Sequence, residues 1–220
     1  MPIAEPSQYL RELTQQLRLT WPDNRTVHLV FHGHSVPAGY FHTPQVQPFQ
    51  AYPHLLHRKL RERFPFAVMN MIVTAVGGET SLRGAERFER EALCHRPDVV
   101  MIDYGLNDRR IGLNEAETSW RQMIEQAMAA GSKVILLTPT HDGRDERPQA
   151  EGWRKLEACA AQIRTLAAEY GTGLADSFAA YEAHIEAGGD VNDLLSGGNH
   201  PNERGHELVA ERLFRWFACW

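Results

Sequence analysis

Cysteine is scarce in this chain, and its arrangement fits neither a disulfide framework nor a metal site. The 220 residues contain three cysteines, Cys94, Cys159 and Cys219, which are odd in number and far apart. Disulfide-rich secreted domains carry even sets of cysteines, and cysteine metal sites place them at short, regular spacings. We therefore expect reduced thiols and a cytoplasmic protein.

Long apolar runs and an excess of positive charge are also missing. No run approaches the ~20 apolar residues that a membrane-spanning helix needs, and segment 1–6 lacks the basic and apolar regions of a secretory signal. The formal net charge is −5 at pH 7. Because phosphate binding requires a concentrated basic surface, we expect neither a nucleic-acid partner nor a membrane partner. The sequence indicates no oligomeric state.

The chain does contain a regular alternation of short apolar segments and amphipathic segments. The apolar segments predict strands at 27–32, 67–73, 98–103, 133–137 and 173–178. Apolar residues at helical spacing predict helices at 7–19, 49–63, 81–93, 114–130, 152–169, 179–187 and 203–218. Strands that are apolar throughout are typical of a parallel sheet covered by helices on both faces. We predict one α/β domain over 1–220, a three-layer α/β/α sandwich with helix 7–19 as an extension.

Glycine-bearing segments follow the first three predicted strands. They are Gly33-His34-Ser35, Gly77-Gly78-Glu79-Thr80 and Gly105-Leu106-Asn107-Asp108. In a flavodoxin-like strand order, 2-1-3-4-5, the first strand lies between the second and third, which places Ser35 between Gly78 and Asn107. The backbone N–H groups of Ser35 and Gly78 and the amide of Asn107 could then donate to one oxygen atom, as an oxyanion hole requires.

A serine hydroxyl is a weak nucleophile unless a base removes its proton. The best candidate for that base is His200, in Asn199-His200-Pro201-Asn202 before the last predicted helix. The following proline disfavours helix at His200 and keeps it in a loop that can reach the sheet edge. The proline-rich segment 36–48 is predicted to be another loop, long enough to wall the site.

The three glycine-bearing segments and the segment around His200 form four sequence blocks. In their order and context, these blocks resemble those of the SGNH hydrolases, the GDSL-type esterases and lipases. The resemblance implies hydrolysis of a carboxylic ester through an acyl-serine intermediate, with Ser35 as nucleophile and His200 as base. It also implies an oxyanion hole from Ser35, Gly78 and Asn107, a small acyl ester as substrate, and no cofactor or metal. The polar loop 141–150 and the absence of an apolar lid favour a short-chain or carbohydrate-linked acyl group.

Two residues depart from the family pattern. His34 stands where the first block of the family has an aspartate, and Gly197 stands where an acid is expected three residues before the histidine. Loss of such an acid can lower the kcat of a serine hydrolase by about 10⁴. Asp193, the nearest acid upstream, is a candidate for orienting His200, and a backbone carbonyl is the alternative.

Two other classes of function stay open from the sequence. His32 and His34 form a His-x-His pair that, with Asp103, His141 and Asp142, could bind zinc in a metal-dependent hydrolase. That hypothesis leaves Gly78 and Asn107 unexplained. A catalytically impaired binding module is the third hypothesis, and its support is the missing acid.

Overall fold

A parallel sheet forms the centre of the molecule in the computed structural model, which describes residues 2–143 and 150–218. Its strands are β1 (Thr26–Gly33), β2 (Val68–Val73), β3 (Val99–Asp103), β4 (Lys133–Leu137) and β5 (Gly173–Ala175). They lie in the order β2-β1-β3-β4-β5, and every neighbouring pair is parallel. The predicted strand order 2-1-3-4-5 is confirmed.

Helices cover both faces of the sheet. They are α1 (Pro6–Tyr9), α2 (Arg11–Leu17), α3 (Ser35–Ala38), α4 (Tyr52–Arg63), α5 (Ser81–Glu91), α6 (Gly105–Asp108), α7 (Leu113–Ala129), α8 (Glu151–Tyr170), α9 (Ser177–Glu186) and α10 (Glu203–Ala218). A small antiparallel hairpin, β6 (Leu195–Gly197) and β7 (His200–Pro201), precedes α10. This is the predicted α/β/α sandwich. Among the described residues, no helix has the length and apolarity needed to cross a membrane.

Successive side chains of the central strands β1, β3 and β4 enter opposite cores. On β1, Leu29 and Phe31 pack in the core that includes α4 and α10, whereas Val30 packs in the core that includes α5 and α7. Because both faces of the strand are covered, both sets of side chains must be apolar. This explains why the strands appear in the sequence as unbroken apolar runs.

Two predicted elements differ from the observed ones, one in its end and one in its continuity. The predicted fifth strand ends early, because the Asp176 side chain caps α9 by accepting from the Ala179 N–H at 3.1 Å. The predicted helix 7–19 is two short helices, interrupted at Leu10. Cys94 and Cys159 are free thiols. Cys219 and residues 144–149 of the predicted polar loop lie outside the described residues.

Candidate active site

Ser35 stands at the carboxyl end of β1, where the sequence predicts it. β1 ends at Gly33, and a Cβ atom at that position would lie 2.5 Å from the Asp103 carbonyl oxygen of β3. Only glycine therefore permits the two strands to approach this closely. Ser35 follows as the first residue of α3 and is 6% exposed.

The Ser35 hydroxyl is hydrogen-bonded to His200. Its Oγ lies 2.9 Å from His200 Nε2, and His200 Nδ1 lies 2.9 Å from the carbonyl oxygen of Phe41. A carbonyl oxygen can only accept a hydrogen bond, so Nδ1 carries the ring proton in this contact. The unprotonated Nε2 then faces Ser35 and can take the hydroxyl proton, as a general base must.

The sequence offered Asp193 as the residue that orients His200, and the structure gives its side chain a different role. The Asp193 carboxylate accepts from the Asp190 N–H at 3.4 Å and lies 3.7 Å from His184 Nε2. These contacts close the turn at 190–194. The Phe41 carbonyl, which is the alternative kind of partner, contacts His200 Nδ1 instead.

The space beside Gly197 is filled by another segment of the chain. A Cβ atom at Gly197 would lie 2.6 Å from Nδ1 of His42. The resemblance to the SGNH hydrolases expects an acidic side chain at this position. Phe41 and His42 therefore fill that region together, the first with its carbonyl and the second with its ring.

The ring of His206 supports the position of Phe41. Its ring is fully buried and stacks on the ring of Phe41, with a centroid distance of 5.2 Å. Its Nδ1 accepts from the Tyr52 N–H at 3.3 Å. Burial, with a contribution from nearby His200, lowers the pKa of His206 to about 3. His206 is thus neutral at physiological pH and acts as a packing surface for Phe41.

The three predicted oxyanion donors belong to residues that line one cleft of about 340 Å³. The residues around this cleft are Ser35, Tyr40, Thr43, Gly77, Gly78, Asn107, Arg110, Asn199 and His200. The Asn107 amide donates one N–H to the Glu79 carbonyl at 2.8 Å, which fixes its orientation and leaves its second N–H for the cleft. Gly78 has a φ of +80°, and, apart from its two chain neighbours, no atom of the described residues lies within 4 Å of the position of a Cβ. Its backbone is therefore open to a bound molecule.

His34 does locally what an aspartate at this position can do. Its Nδ1 accepts from the Val36 N–H at 3.2 Å, so the imidazole caps the start of α3. Its Nε2 then carries the proton and faces Asp103 Oδ1 at 3.4 Å. The other carboxylate oxygen of Asp103 accepts from the Tyr52 hydroxyl at 3.1 Å. The cap made by His34 and the bond between Tyr52 and Asp103 lie on either side of the turn from which Ser35 projects, and among the described residues Nε2 of His34 makes no hydrogen bond.

The structure separates the histidines of the proposed metal site. His32 lies in the opposite core from Asp103, and its ring nitrogens contact Thr74 Oγ1 at 2.8 Å and the Gly84 carbonyl at 3.0 Å. Burial lowers the pKa of His32 to about 4. Both of its ring nitrogens are already in hydrogen-bond contact with the chain, so His32 is not placed to bind a metal ion together with His34.

His141 and Asp142 do not complete such a site either. His141 is buried against Trp153, with ring centroids 4.7 Å apart, and burial lowers its pKa to about 4. Asp142 forms an ion pair with Arg109. In the described ranges, no group of three or more His, Cys, Asp or Glu residues is placed to hold a metal ion.

Sequence reasoning missed three contributors to the site. Phe41 acts through its backbone, so no residue type in the sequence indicates it. His42 matters because it fills a space that only the folded chain creates. Arg110 had a visible signal, since it is a cation three residues after Asn107.

The same fold occurs in solved structures of named esterases. The crystal structure of Axe2, an acetylxylan esterase from Geobacillus stearothermophilus, matches with a TM-score of 0.77 at 20% identity, covering 87% of this chain and 94% of that one. The acetyl xylan esterase AlAXEase matches with a TM-score of 0.72 at 23% identity, covering 86% and 98%. At these identities the likeness establishes the fold alone.

Sequence comparisons point to the same group. The acetylxylan esterase of Geobacillus stearothermophilus is 21% identical over 169 residues, 71% of this chain and 75% of its own. Esterase TesA of Pseudomonas aeruginosa is 28% identical over 169 residues, 75% of this chain and 77% of its own. The model of the GDSL-like lipase/acylhydrolase family matches residues 31–208. The chain therefore belongs to this family, the SGNH hydrolases, and is an ester hydrolase.

Proposed function

We propose that the chain hydrolyses a short-chain or carbohydrate-linked acyl ester through an acyl-serine intermediate. The observation that carries the proposal is the 2.9 Å contact between Ser35 Oγ and the unprotonated Nε2 of His200. A hydroxyl paired in this way with an imidazole is an activated nucleophile.

In the proposed reaction, Ser35 Oγ attacks the ester carbonyl carbon while His200 Nε2 takes the hydroxyl proton. The resulting oxyanion accepts from the backbone N–H groups of Ser35 and Gly78 and from Asn107 Nδ2. His200 passes the proton to the leaving alcohol, and the acyl group stays on Ser35. Water, deprotonated by His200, then releases the acid and restores the serine. Side chains and backbone groups of the chain carry each step, and the scheme uses no cofactor or metal.

The substrate class follows from the size and the polar character of the cleft. A volume of about 340 Å³ lies at the lower end of the range of ligand pockets, which favours a small substrate. Tyr40, Thr43 and Asn199 contribute hydroxyl and amide groups to its lining, and none of the described lining residues is aliphatic. Such groups favour a polar alcohol, such as a sugar, over a long alkyl chain. The name of one relative, acetylxylan esterase, agrees with this choice.

A hydrolysis profile of 4-nitrophenyl esters of increasing chain length, with acetylated sugars alongside, tests the substrate class. We expect kcat/KM to fall from acetyl to octanoyl esters and the acetylated sugars to be cleaved. Rates that rise with chain length would contradict the proposal. Failure to hydrolyse any member of the panel would favour a catalytically impaired binding module.

The role of Ser35 has its own test. Ser35→Ala should lower kcat by about 10⁴ or more, because it removes the nucleophile. Labelling by a fluorophosphonate should disappear in the same variant, and thermal unfolding should stay near that of the parent. Labelling that persists in Ser35→Ala would remove this residue from its role.

A further inference from the structure

An exposed arginine borders the cleft beside the proposed oxyanion donors. Arg110 follows α6 and lines the same cleft as Ser35, Gly78 and Asn107. Its side chain belongs to neither of the two hydrophobic cores. Its position at the reacting groups therefore needs a separate explanation.

Two backbone carbonyls hold the guanidinium group in place. Arg110 Nη2 donates to the Gly78 carbonyl at 2.6 Å, and Nε donates to the Asn107 carbonyl at 3.3 Å. These carbonyls belong to the two residues that flank Ser35 in the proposed oxyanion hole. The positive charge is thus fixed next to the reacting centre, although the side chain is exposed.

The charge of this guanidinium is not neutralised by the part of the chain that the structure describes. Residues 2–143 and 150–218 place no carboxylate within 4.0 Å of Arg110, and they give Nη1 no hydrogen-bond partner. The described residues that line the cleft include no aspartate or glutamate. As far as the described residues go, the positive charge and Nη1 of Arg110 are therefore available to a molecule bound in the cleft.

Two other arginines of the chain differ from Arg110 because carboxylates of the chain neutralise them. Arg87 pairs with Glu79 at 2.6 Å and with Glu91 at 3.0 Å, and Arg109 pairs with Asp142. These guanidinium groups stabilise the fold through carboxylates of the chain itself. Arg110 has the same chemistry but presents it to the cleft.

We propose that Arg110 binds a carboxylate of the substrate, so that the preferred ester carries a negative charge near the scissile bond. This inference rests on the proposed ester hydrolysis at Ser35. A guanidinium group matches a carboxylate in shape and forms charge-assisted hydrogen bonds with it. The carboxylate could stand on the alcohol, as in an acetylated sugar acid, or on the acyl group, as in the half-ester of a dicarboxylic acid.

Paired substrates that differ in charge test the proposal and separate the two sources. The alcohol-side pair is an acetylated methyl glucuronide and the corresponding acetylated methyl glucoside. The acyl-side pair is mono-4-nitrophenyl succinate and 4-nitrophenyl butyrate. For each pair, the quantity measured is the ratio of kcat/KM for the anionic ester to kcat/KM for the neutral ester.

In Arg110→Gln, this ratio should fall by roughly ten- to a hundred-fold for the pair whose carboxylate meets the guanidinium. Arg110→Lys keeps the positive charge but lacks the planar pair of N–H donors that a guanidinium presents to a carboxylate. Its ratio should therefore lie between those of Arg110→Gln and the parent. Arg110 also ties Gly78 to Asn107, so its loss should slow neutral esters too, and the ratio cancels that common effect. Arg90→Gln makes the same charge change on an exposed side chain of α5 and should leave the ratio as in the parent.

Equal ratios in the parent and in Arg110→Gln, for both pairs, would overturn the inference and leave Arg110 as a tie between two loops. That result is distinct from failure of the proposed function. If the parent hydrolysed neither the neutral nor the anionic esters, the ester hydrolysis at Ser35 would itself be refuted, and this inference with it.

Discussion

Ser35 and Asn107 stand just past the ends of adjacent strands in one parallel sheet, whereas His200 stands on a two-residue strand of a small hairpin. β1 and β3 pair in continuous register as far as Gly33 and Asp103, and both strands are buried. The position of the serine relative to the asparagine is therefore set by the hydrogen bonds of the central sheet. Disturbing it requires disturbing the core.

The histidine side is built from local turns and from a distant loop. The hairpin has an irregular register between Leu195 and Gly197, and α10 follows it directly. A Cβ at Gly205 of α10 would lie 3.0 Å from the Cβ of Pro201 in the hairpin, so the hairpin packs tightly on this helix. The orientation of the imidazole, however, comes from the carbonyl of Phe41. The comparison shows that the two reacting residues are held in different ways. Ser35 is fixed by the central sheet, whereas the orientation of His200 depends on the packing of a loop.

On the sheet side, Asn107→Ala should have the largest effect on kcat after the loss of Ser35 itself. Removal of one oxyanion donor lowers kcat by roughly 10²–10³ in related chemistry, and we expect the same range for this change. Steady-state kinetics on a short-chain ester would measure it. Asn199→Ala removes an amide from the same cleft and should act on KM more than on kcat. An unchanged kcat in Asn107→Ala would exclude Asn107 from the oxyanion hole.

On the histidine side, an acid can be placed where the family has one. Gly197→Asp alone should lower activity, because its Cβ would meet His42. With His42→Gly to make room, the carboxylate can approach His200, and kcat should rise by about ten-fold over that of His42→Gly alone.

The matched control for this experiment is Gly197→Ala combined with His42→Gly, which adds the Cβ without the carboxylate. Thermal unfolding of each variant separates loss of folding from loss of activity. If the aspartate variant were no faster than the alanine variant, the Phe41 carbonyl would already supply the full orienting effect.

Asp193→Asn should have the smallest effect. The asparagine oxygen can still accept from the Asp190 N–H, so the turn is kept, and we expect kcat within about two-fold of the parent. The same kinetic assay measures it, with the melting temperature as a check on the turn. A drop as large as that of Asn107→Ala would show that Asp193 orients His200 after all.

Most of the fold and the sheet side of the site could be predicted from the sequence. Unbroken apolar runs indicate strands that are buried on both faces, and glycines after the strands mark the turns at the carboxyl edge of the sheet. Ser35, Gly78 and Asn107 are predicted in this way, because each lies within a few residues of a strand end. The hairpin at 195–201 was missed, since strands this short leave no periodic signal.

The sequence by itself indicated the parallel sheet and the residues that follow its strands, because these depend on local patterns of apolar residues and glycines. The strand order was taken from the flavodoxin-like arrangement, and the structure confirms it. Tertiary structure alone decided what holds His200 and what charge the cleft presents. The Phe41 carbonyl is a group that every residue possesses, and Arg110 differs from Arg87 and Arg109 in lacking a carboxylate partner among the described residues. Such roles depend on which distant groups meet in space, and no local pattern records them.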